Sequence, residues 1–312
     1  MSALICGSFA YDCIMVFPGR FADQILPDQI HMLNVAFLVP ELRREFGGCA
    51  GNIAYNLKQL GSDGEPMGAI GNDFGPYAEW MDTNGVPRRY LHEVSTAFTA
   101  QAFITTDLQD NQITAFHPGA MNHAHEINVP DDGSIAWGMV SPDGREAMIQ
   151  HARQFADAGI PFIFDPGQGL PMFEGADLKR FIEQASIVAV NDYESQKLQE
   201  RTGLSAEQLS QRVDALVVTR GGEGSVVIRD GAVTEIPAAQ PAAVADPTGC
   251  GDAYRAGLLH GLMAGADWET TGRIASLMGA IKISCHGTQN HSVTPESFRE
   301  RFKSNFGYDP GL

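Results

Sequence analysis

The second half of the chain alternates helix-like segments with short segments that are apolar at nearly every position. The apolar segments include 161–166 (PFIFDP), 186–191 (SIVAVN) and 215–219 (ALVVT). A strand without polar alternation has both faces covered, as in a parallel sheet with helices on each side. This order predicts an α/β fold with a doubly wound, mostly parallel sheet flanked by helices.

The remaining regular segments fit the same architecture. Residues 4–9 form a predicted buried strand, and residues 50–60 form a predicted helix that ends at Gly61. A hairpin is expected at 224–237 (GSVVIRDGAVTEIP). Further helices are expected at 145–158, 176–185, 192–214 (two stretches), 250–264, 269–284 and 295–305.

Two stretches, 13–46 and 97–117, match neither pattern. Both contain short β-prone segments with turn residues between them, such as Gln109-Asp110-Asn111. We expect them to pair as a small sheet that stands off the main domain, so that 1–312 forms one domain with an inserted lid. Exposed strand edges tend to be paired or covered, which makes a homodimer through the lid a further expectation.

The charge balance and the cysteines exclude several classes of protein. With 21 basic and 38 acidic residues the formal net charge is −17, and a surface this acidic repels nucleic acid and anionic membranes. Five scattered cysteines without a C-x-x-C pair indicate reduced thiols and a cytoplasmic protein. The first residues lack the basic start of a signal peptide, and no run of about 18 apolar residues predicts a membrane span.

The most specific pattern in the chain is the segment 246–253 (DPTGCGDA), which opens a predicted helix. Gly249 and Gly251 allow backbone N–H groups to turn inward at the helix N-terminus, where they favour a phosphate group. Asp252 lies in the first turn, where a carboxylate can take a proton from an attacking hydroxyl. A helix N-terminus can also lower the pKa of Cys250, although its backbone N–H is expected to matter more. Taken alone, the pattern also fits an ordinary glycine-rich turn.

This segment resembles the D-T-x-G-x-G-D signature of the ribokinase family of carbohydrate and nucleoside kinases, also called PfkB kinases. Pro247 replaces the usual Thr, at a position to which we assign no chemistry. Three further motifs resemble those of the family and follow in the expected order: G-G-C-A-G-N at 47–52, N-D-Y-E at 191–194 and T-R-G-G-E-G at 219–224. Four motifs are far more specific than one, and the resemblance spans nearly the whole chain.

The resemblance implies an ATP-dependent kinase and gives each motif a role. Asp252 would be the general base, and the backbone N–H groups of Gly249, Cys250 and Gly251 would stabilise the transferred phosphoryl group. The inserted sheet would act as a lid that excludes water. The residues that would hold the sugar are Ser8, Asp12, Gly48 and Asn52.

The resemblance also implies how the nucleotide and the ions are bound. Glu194 would hold Mg²⁺, with a water between them. The residues that would hold ATP are Asn191, Thr219, Gly221 and Gly224. The residues that would lie near a monovalent cation such as K⁺, which would keep the phosphate-binding loop in shape, are Asp246, Thr248 and Gly287.

Details of the lid favour one branch of the family. Asp12 is followed by F-P-G-R-F at 17–21 and H-M-L-N-V-A-F at 31–37. Together with F-H-P-G-A-M at 116–121, these segments resemble the lid of bacterial adenosine kinases of the ribokinase type. The resemblance therefore favours transfer of the ATP γ-phosphate to the ribose 5′-hydroxyl of adenosine, giving AMP.

Three side chains would define the base pocket in that branch. Phe116 and Met121 would flank the purine, because a base needs flat apolar walls that a free sugar does not. Gln168 would reach the purine edge, although this chain has Gln168-Gly169 where the branch often has two glutamines. The alternative for Phe116 and Met121 is that they only pack the lid.

Two alternative functions stay open. The first is the same chemistry on a free sugar such as ribose or a hexose, or on a broader range of purine nucleosides. The second is a non-catalytic regulator that binds a sugar or a nucleotide on a kinase fold. The intact Asp252, Gly249 and Gly251 argue against the regulator, because such a protein would be free to lose its base.

Overall fold

The computed structural model describes residues 2–25, 34–109 and 111–311. Within these ranges the chain forms thirteen strands and nine α-helices. The strands are β1 (Ser2–Cys6), β2 (Ala10–Val16), β3 (Glu41–Gly47), β4 (Gly64–Gly71), β5 (Tyr90–Val94), β6 (Ala100–Thr106), β7 (Gln112–His117), β8 (Ile135–Val140), β9 (Phe162–Phe164), β10 (Ile187–Asn191), β11 (Ala215–Thr219), β12 (Ser225–Arg229) and β13 (Ala232–Ile236). The helices are α1 (Cys49–Gln59), α2 (Gly75–Thr83), α3 (Arg145–Asp157), α4 (Gly175–Gln184), α5 (Asp192–Thr202), α6 (Ala206–Ser210), α7 (Cys250–Met263), α8 (Trp268–Ile283) and α9 (Pro295–Phe306).

Nine of the strands form one sheet in the order β13-β12-β11-β10-β9-β8-β1-β4-β5. The strands from β11 to β5 pair in parallel, while β12 and β13 are antiparallel at one edge. Ala3 and Ile5 of β1 pack in the same core as α1 and α7, whereas Leu4 and Cys6 pack in the same core as α3 and α4. Both faces of the sheet are therefore covered, and the predicted doubly wound α/β fold is confirmed.

The predicted lid is a separate sheet of four strands in the order β3-β2-β6-β7. Its strand β2 begins at Ala10, earlier than the predicted start at residue 13, and β1 ends at Cys6 rather than at residue 9. The reason is that the segment between them turns toward α1, where the Ser8 carbonyl accepts the Ala50 N–H at 3.0 Å. The first three residues of the predicted lid motif at 31–37 lie outside the described residues.

Two features of the surface concern the remaining expectations. Strands β3 and β7 form the edges of the lid sheet, and β7 is exposed along its whole length. Dimerisation through these edges stays a prediction. None of the helices in the described part of the chain is long and apolar enough to cross a bilayer.

Candidate active site

Hydrogen bonds from backbone N–H groups to the carbonyl and the hydroxyl of Ser8 hold the loop after β1 against the first turn of α1. The Cys49 N–H donates to Ser8 Oγ at 3.2 Å. Gly48 has a φ of +89°, and a Cβ at this position would lie 2.5 Å from the Ser8 carbonyl oxygen. Only glycine fits so close a crossing. Ser8 and Gly48, both predicted to bind the sugar, therefore lie together where the lid strands join the main domain.

Asn52 on α1 and Asp252 on α7 meet, although 200 positions separate them in the sequence. The Asn52 Nδ2 donates to Asp252 Oδ2 at 2.8 Å. Gln289 Nε2 donates to Asn52 Oδ1 at 2.9 Å, which fixes the orientation of the Asn52 amide. A carboxylate has about four lone-pair positions, so Asp252 can accept a substrate hydroxyl in addition to the Asn52 amide.

The ionisation of Asp252 depends on its burial and on a buried ion pair beside it. Burial raises the pKa of Asp252 to about 6, the Asn52 hydrogen bond opposes this rise, and the charge of Asp165 adds to it. Arg255, one turn further along α7, donates to both carboxylate oxygens of Asp165 at 3.2 and 3.1 Å. The positive charge of Arg255 helps to keep Asp252 ionised at neutral pH.

Sequence reasoning missed the pair of Arg255 and Asp165. The signal was present, since an arginine stands in the otherwise apolar stretch AYRAGLL and an aspartate directly follows the apolar residues of β9. A buried charge of this kind is normally paired. Nothing local in the sequence indicates which partner it takes.

Asp12 lies within the lid strand β2, where it pairs with Glu45 on β3 and Ala102 on β6. Burial raises the pKa of Asp12 to about 6, and the charges of Glu45 and Asp246 add to the rise. Gly47 leaves room for the carboxylate, since a Cβ there would lie 2.6 Å from Asp12 Oδ2. A carboxylate in this position can accept hydrogen bonds from two adjacent sugar hydroxyls.

Tyr77 of α2 links the two carboxylates. Its hydroxyl donates to the Gly47 carbonyl at 3.0 Å. Burial raises the pKa of Tyr77, a hydrogen bond from Gln289 opposes this, and the charges of both Asp12 and Asp252 add to the rise. Gln289 Nε2 donates to the Tyr77 hydroxyl at 2.6 Å as well as to Asn52, so a chain of hydrogen bonds connects Gly47, beside Asp12, with the Asn52–Asp252 pair.

The turn before α7 is held by the carboxylate of Asp246. Its oxygens accept the Thr248 N–H at 2.8 Å and the Gly287 N–H at 2.9 Å. Burial raises the pKa of Asp246, but these two hydrogen bonds and the positive charge of Lys282 lower it overall. Thr248 and Gly287, predicted to lie near a monovalent cation, therefore direct N–H groups at Asp246.

Gly249 and Gly251 of the same turn have different roles. Gly249 has a φ of +77°, and a Cβ there would lie 3.0 Å from Thr288 Cγ2, so the turn itself requires glycine. At Gly251, which is exposed, a Cβ would meet nothing within 4 Å. The absent side chain instead leaves the backbone at the N-terminus of α7 open to an incoming phosphate oxygen.

The position of Cys250 at the helix N-terminus does not lower the pKa of its thiol. Burial raises the pKa of this thiol to about 11, because desolvation of the thiolate outweighs the favourable charge of Lys282. The thiol therefore stays protonated at neutral pH. This fits the expectation that the backbone N–H of Cys250 matters more than its sulfur.

The N-x-x-E motif forms a capping box at the start of α5. Asn191 Oδ1 accepts the Glu194 N–H at 2.7 Å, and the Asn191 N–H donates to Glu194 Oε2 at 2.8 Å. Burial raises the pKa of Glu194, and the charge of Asp165 adds to the rise. The capping box uses Oε2 of Glu194, which leaves Oε1 for a ligand. A carboxylate oxygen near a second acid, here Asp165, fits a Mg²⁺ ion that keeps most of its waters.

The two predicted nucleotide motifs begin side by side, since Asn191 at the end of β10 pairs with Thr219 at the end of β11. Gly221 has a φ of +56°. Gly224 has a φ of +84°, and a Cβ there would lie 2.2 Å from the Ile236 carbonyl oxygen. This carboxyl edge of a parallel sheet is where ligands bind in open α/β folds.

The strand register places Phe116 on the same face of the lid as Asp12. Phe116 pairs with Ala102, which pairs with Asp12 on the next strand. The Phe116 side chain is 52% exposed, although it is aromatic. Met121 lies just beyond, in the 3-10 turn Gly119–Glu126, and is half-buried.

Gln168 lies in a different part of the site. It is exposed and lines a cleft of about 530 Å³ together with Tyr193 and Glu194, beside the N-x-x-E motif. The structure thus brings Ser8, Asp12, Gly48, Asn52 and Asp252 together and places Gln168 nearer the nucleotide motifs. The contact of each of these residues with a ligand stays a prediction.

Comparison with known sequences identifies the class of protein. Residues 13–295 match the profile of the pfkB family carbohydrate kinases. The chain therefore belongs to this family, and the four motifs are those of an ATP-dependent phosphotransferase. The nine-stranded, mostly parallel sheet with a separate lid is the ribokinase fold.

The chain is similar over its whole length to particular kinases. It is 50% identical to Burkholderia thailandensis nucleoside kinase, solved in complex with inosine, with a TM-score of 0.90 over 99% of each chain. A second structure of that enzyme is in complex with ADP-inosine. Methanocaldococcus jannaschii nucleoside kinase is 31% identical over 274 residues, 87% of this chain and 90% of that protein. Thermotoga maritima ribokinase, 18% identical with a TM-score of 0.80 over 97% of this chain and 99% of that one, shares the fold.

Proposed function

We propose that this kinase transfers the γ-phosphoryl group of ATP to the 5′-hydroxyl of purine nucleosides, with adenosine and inosine both as substrates. The observation that carries the proposal is the exposed Phe116 ring on the same face of the lid as Asp12. Two strand spacings separate the two residues, about 9.6 Å, which leaves room for a base beside the ribose. The nucleoside kinases to which the chain is similar support the same substrate class.

Asp252 accounts for the proton transfer in this proposal. Its pKa of about 6 leaves it ionised at pH 7 but basic enough to take the proton of the 5′-hydroxyl. The hydroxyl oxygen then attacks the γ-phosphorus, the bond to the β-phosphate oxygen breaks, and ADP leaves. The proton on Asp252 passes to solvent. Asn52 orients the carboxylate through its bond to Oδ2.

The remaining parts of the site stabilise charge. Backbone N–H groups from Gly249 to Gly251, at the N-terminus of α7, would accept the phosphoryl oxygens. Glu194 would hold Mg²⁺ through a water, and the ion, bound with ATP, would neutralise phosphate charge. The lid sheet would close over the substrates and exclude water, which otherwise competes with the 5′-hydroxyl.

We expect the pH dependence of kcat/KM to report two carboxyl groups. Asp12 and Asp252 each have a pKa of about 6 and each acts in its ionised form. Well below that pH, log kcat/KM should rise with a slope that the Asp12→Asn variant reduces by one, since one of the two titrations is removed. Both proteins are measured with the same ATP and Mg²⁺, so that titration of ATP cancels. Equal slopes for the two proteins would contradict the role of Asp12.

The Phe116→Ala variant separates a nucleoside kinase from a sugar kinase. Loss of stacking on the base is worth about 1–3 kcal/mol, so kcat/KM for adenosine and inosine should fall roughly 10- to 100-fold. Any activity on ribose should change little, because a free sugar does not reach the ring. Coupled ADP-release assays on adenosine, inosine, guanosine, ribose and fructose measure these values.

A matched control lies on the same lid strands. Phe103 is also exposed, but it follows Ala102 on β6 and therefore points to the opposite face of the sheet. Phe103→Ala should leave nucleoside kinetics unchanged. Equal losses on all substrates in Phe116→Ala, with a lower Tm, would assign Phe116 to lid packing. An unmutated protein that phosphorylates ribose efficiently and neither nucleoside would overturn the proposed substrate class.

A further inference from the structure

Lys282 on α8 has a side chain that is fully buried. Its Nζ donates to the Asp246 carbonyl at 2.7 Å and to the Cys285 carbonyl at 3.2 Å. A buried ammonium is costly unless polar atoms replace its water. The two backbone oxygens therefore form a binding site for a positive charge, and the Lys282 ammonium occupies it.

The two carbonyls belong to the segments that shape the phosphate-binding turn. Asp246 begins the turn that leads to Gly249 and α7, and Cys285 follows α8 and leads to Gly287. The Gly287 N–H donates to the Asp246 carboxylate at 2.9 Å, so that the segments are joined twice. The Lys282 ammonium places a positive charge at this junction.

The residues predicted around a monovalent cation fit a free K⁺ ion poorly in this chain, because the Lys282 ammonium lies beside Asp246 and would repel the ion. Such an ion needs oxygen ligands. Each carboxylate oxygen of Asp246 already accepts one N–H group, from Thr248 or from Gly287, so fewer lone pairs are left for an ion. The carbonyl oxygen of Asp246 accepts a hydrogen bond from Lys282.

We propose that the Lys282 ammonium takes the place of a bound monovalent cation. Phosphoryl transfer by this kinase therefore does not depend on K⁺. An ammonium carries three N–H donors and no acceptor, and like K⁺ it attracts carbonyl oxygens. Because it is covalently tethered, it occupies the site at every salt concentration. Lys282 is a positioning residue, since it acts through the turn and not on the substrate.

The first test uses the unmutated protein. Kinase activity is measured with nucleoside and the tetramethylammonium salt of ATP, in buffers whose only small cations are tetramethylammonium and Mg²⁺. Ionic strength is kept constant so that charge screening does not change. Added KCl should then alter kcat/KM by less than about twofold, because the Lys282 ammonium already supplies the positive charge. A saturable stimulation by K⁺ beyond this range would overturn the proposal.

The second test removes the ammonium. Lys282→Ala leaves a cavity beside the two carbonyls, and loss of a charge-assisted interaction of this kind should lower kcat/KM about tenfold. NH₄Cl or KCl should restore part of the activity, and tetramethylammonium chloride, which is too large, should not. The matched control is Lys179→Ala, an exposed lysine of α4, which should behave as the unmutated protein in every salt.

A melting curve gives a readout that does not depend on activity. The Tm of ligand-free Lys282→Ala should rise with NH₄Cl or KCl relative to tetramethylammonium chloride, whereas the Tm of the unmutated protein should not. A variant whose Tm is lowered equally in all three salts, with kcat unchanged or not restored, would assign Lys282 to the fold alone. If the variant fails to fold, the salt series on the unmutated protein still decides the K⁺ dependence.

Discussion

Replacing Asp252 by asparagine should lower kcat by at least about 10²-fold, the contribution of a positioned general base. Asparagine keeps the volume and a hydrogen-bonding group for Asn52, but it cannot take the proton of the substrate hydroxyl. Nucleoside binding should persist, because Asp12 and Asn52 still hold the ribose. Turnover is followed by ADP release and binding by calorimetry.

The stability of this variant tells whether a loss of activity comes from misfolding. Asp252 has a folded-state pKa of about 6, above the value of 3.8 of an unperturbed aspartate. The folded protein therefore binds the proton more tightly than the unfolded chain, and ionisation costs stability as pH rises from about 4 to 6. Asp252→Asn should accordingly raise the Tm at pH 7. A variant that melts higher and turns over poorly has lost chemistry, not structure.

A control for Asp252→Asn is Glu146→Gln, since Glu146 is also an acid in the first turn of a helix but has a side chain that is 70% exposed and pairs with Arg145. Its kinetics should match those of the unmutated protein. Near-normal turnover in Asp252→Asn would mean that another group takes the proton. The assignment of the general base would then be wrong.

The part of the sheet built from β9 to β13 shows which strands can be predicted from the sequence of this fold. Strands β9, β10 and β11 were predictable because their apolar residues are consecutive and helical segments separate them. Strand β11 begins and ends at the predicted residues, 215 and 219. A strand that is buried on both faces has consecutive apolar residues, and this pattern can be recognised in a single sequence.

Strands β4 and β8 were missed because glycines interrupt them. A Cβ at Gly68 would lie 2.5 Å from the Gly7 carbonyl oxygen, and one at Gly138 would lie 2.6 Å from the Phe155 ring. Glycine weakens the local strand signal. Here it is required by contacts with residues distant in the sequence, which no local pattern reports.

Some residues of the candidate site could be predicted from the sequence and others could not. Motifs located Asp252, Gly249 and Asn52, because phosphate binding at a helix N-terminus requires particular residues at fixed spacing. The charged residues beside them, Arg255 and Lys282, have mostly apolar neighbours in their helices. Their partners are set by tertiary packing, so the sequence indicated a buried charge but not its role.

Replacing Asp12 by alanine should weaken nucleoside binding by about 2–4 kcal/mol, or roughly 30- to 1,000-fold in Kd, the scale of losing charge-assisted hydrogen bonds to two hydroxyls. ATP binding should be largely unchanged, because ATP is expected at Asn191 and Thr219, at the other end of the site. Calorimetry with each ligand separately measures both affinities. Glu41→Ala, which removes an exposed acid from the adjacent lid strand β3, is the control and should alter neither.

The Tm decides whether Asp12 binds substrate or supports the lid. Its pKa of about 6 means that the ionised carboxylate destabilises the folded protein at neutral pH, so Asp12→Ala should melt at the same temperature or higher. Weaker nucleoside binding without a lower Tm therefore indicates a lost ligand contact. Equal losses of affinity for nucleoside and ATP, together with a lower Tm, would instead show that Asp12 holds β2 in the lid. In that case the diol would have to be bound by Asn52 and by the backbone at Gly48, and the variant that abolishes nucleoside binding would be found at Asn52.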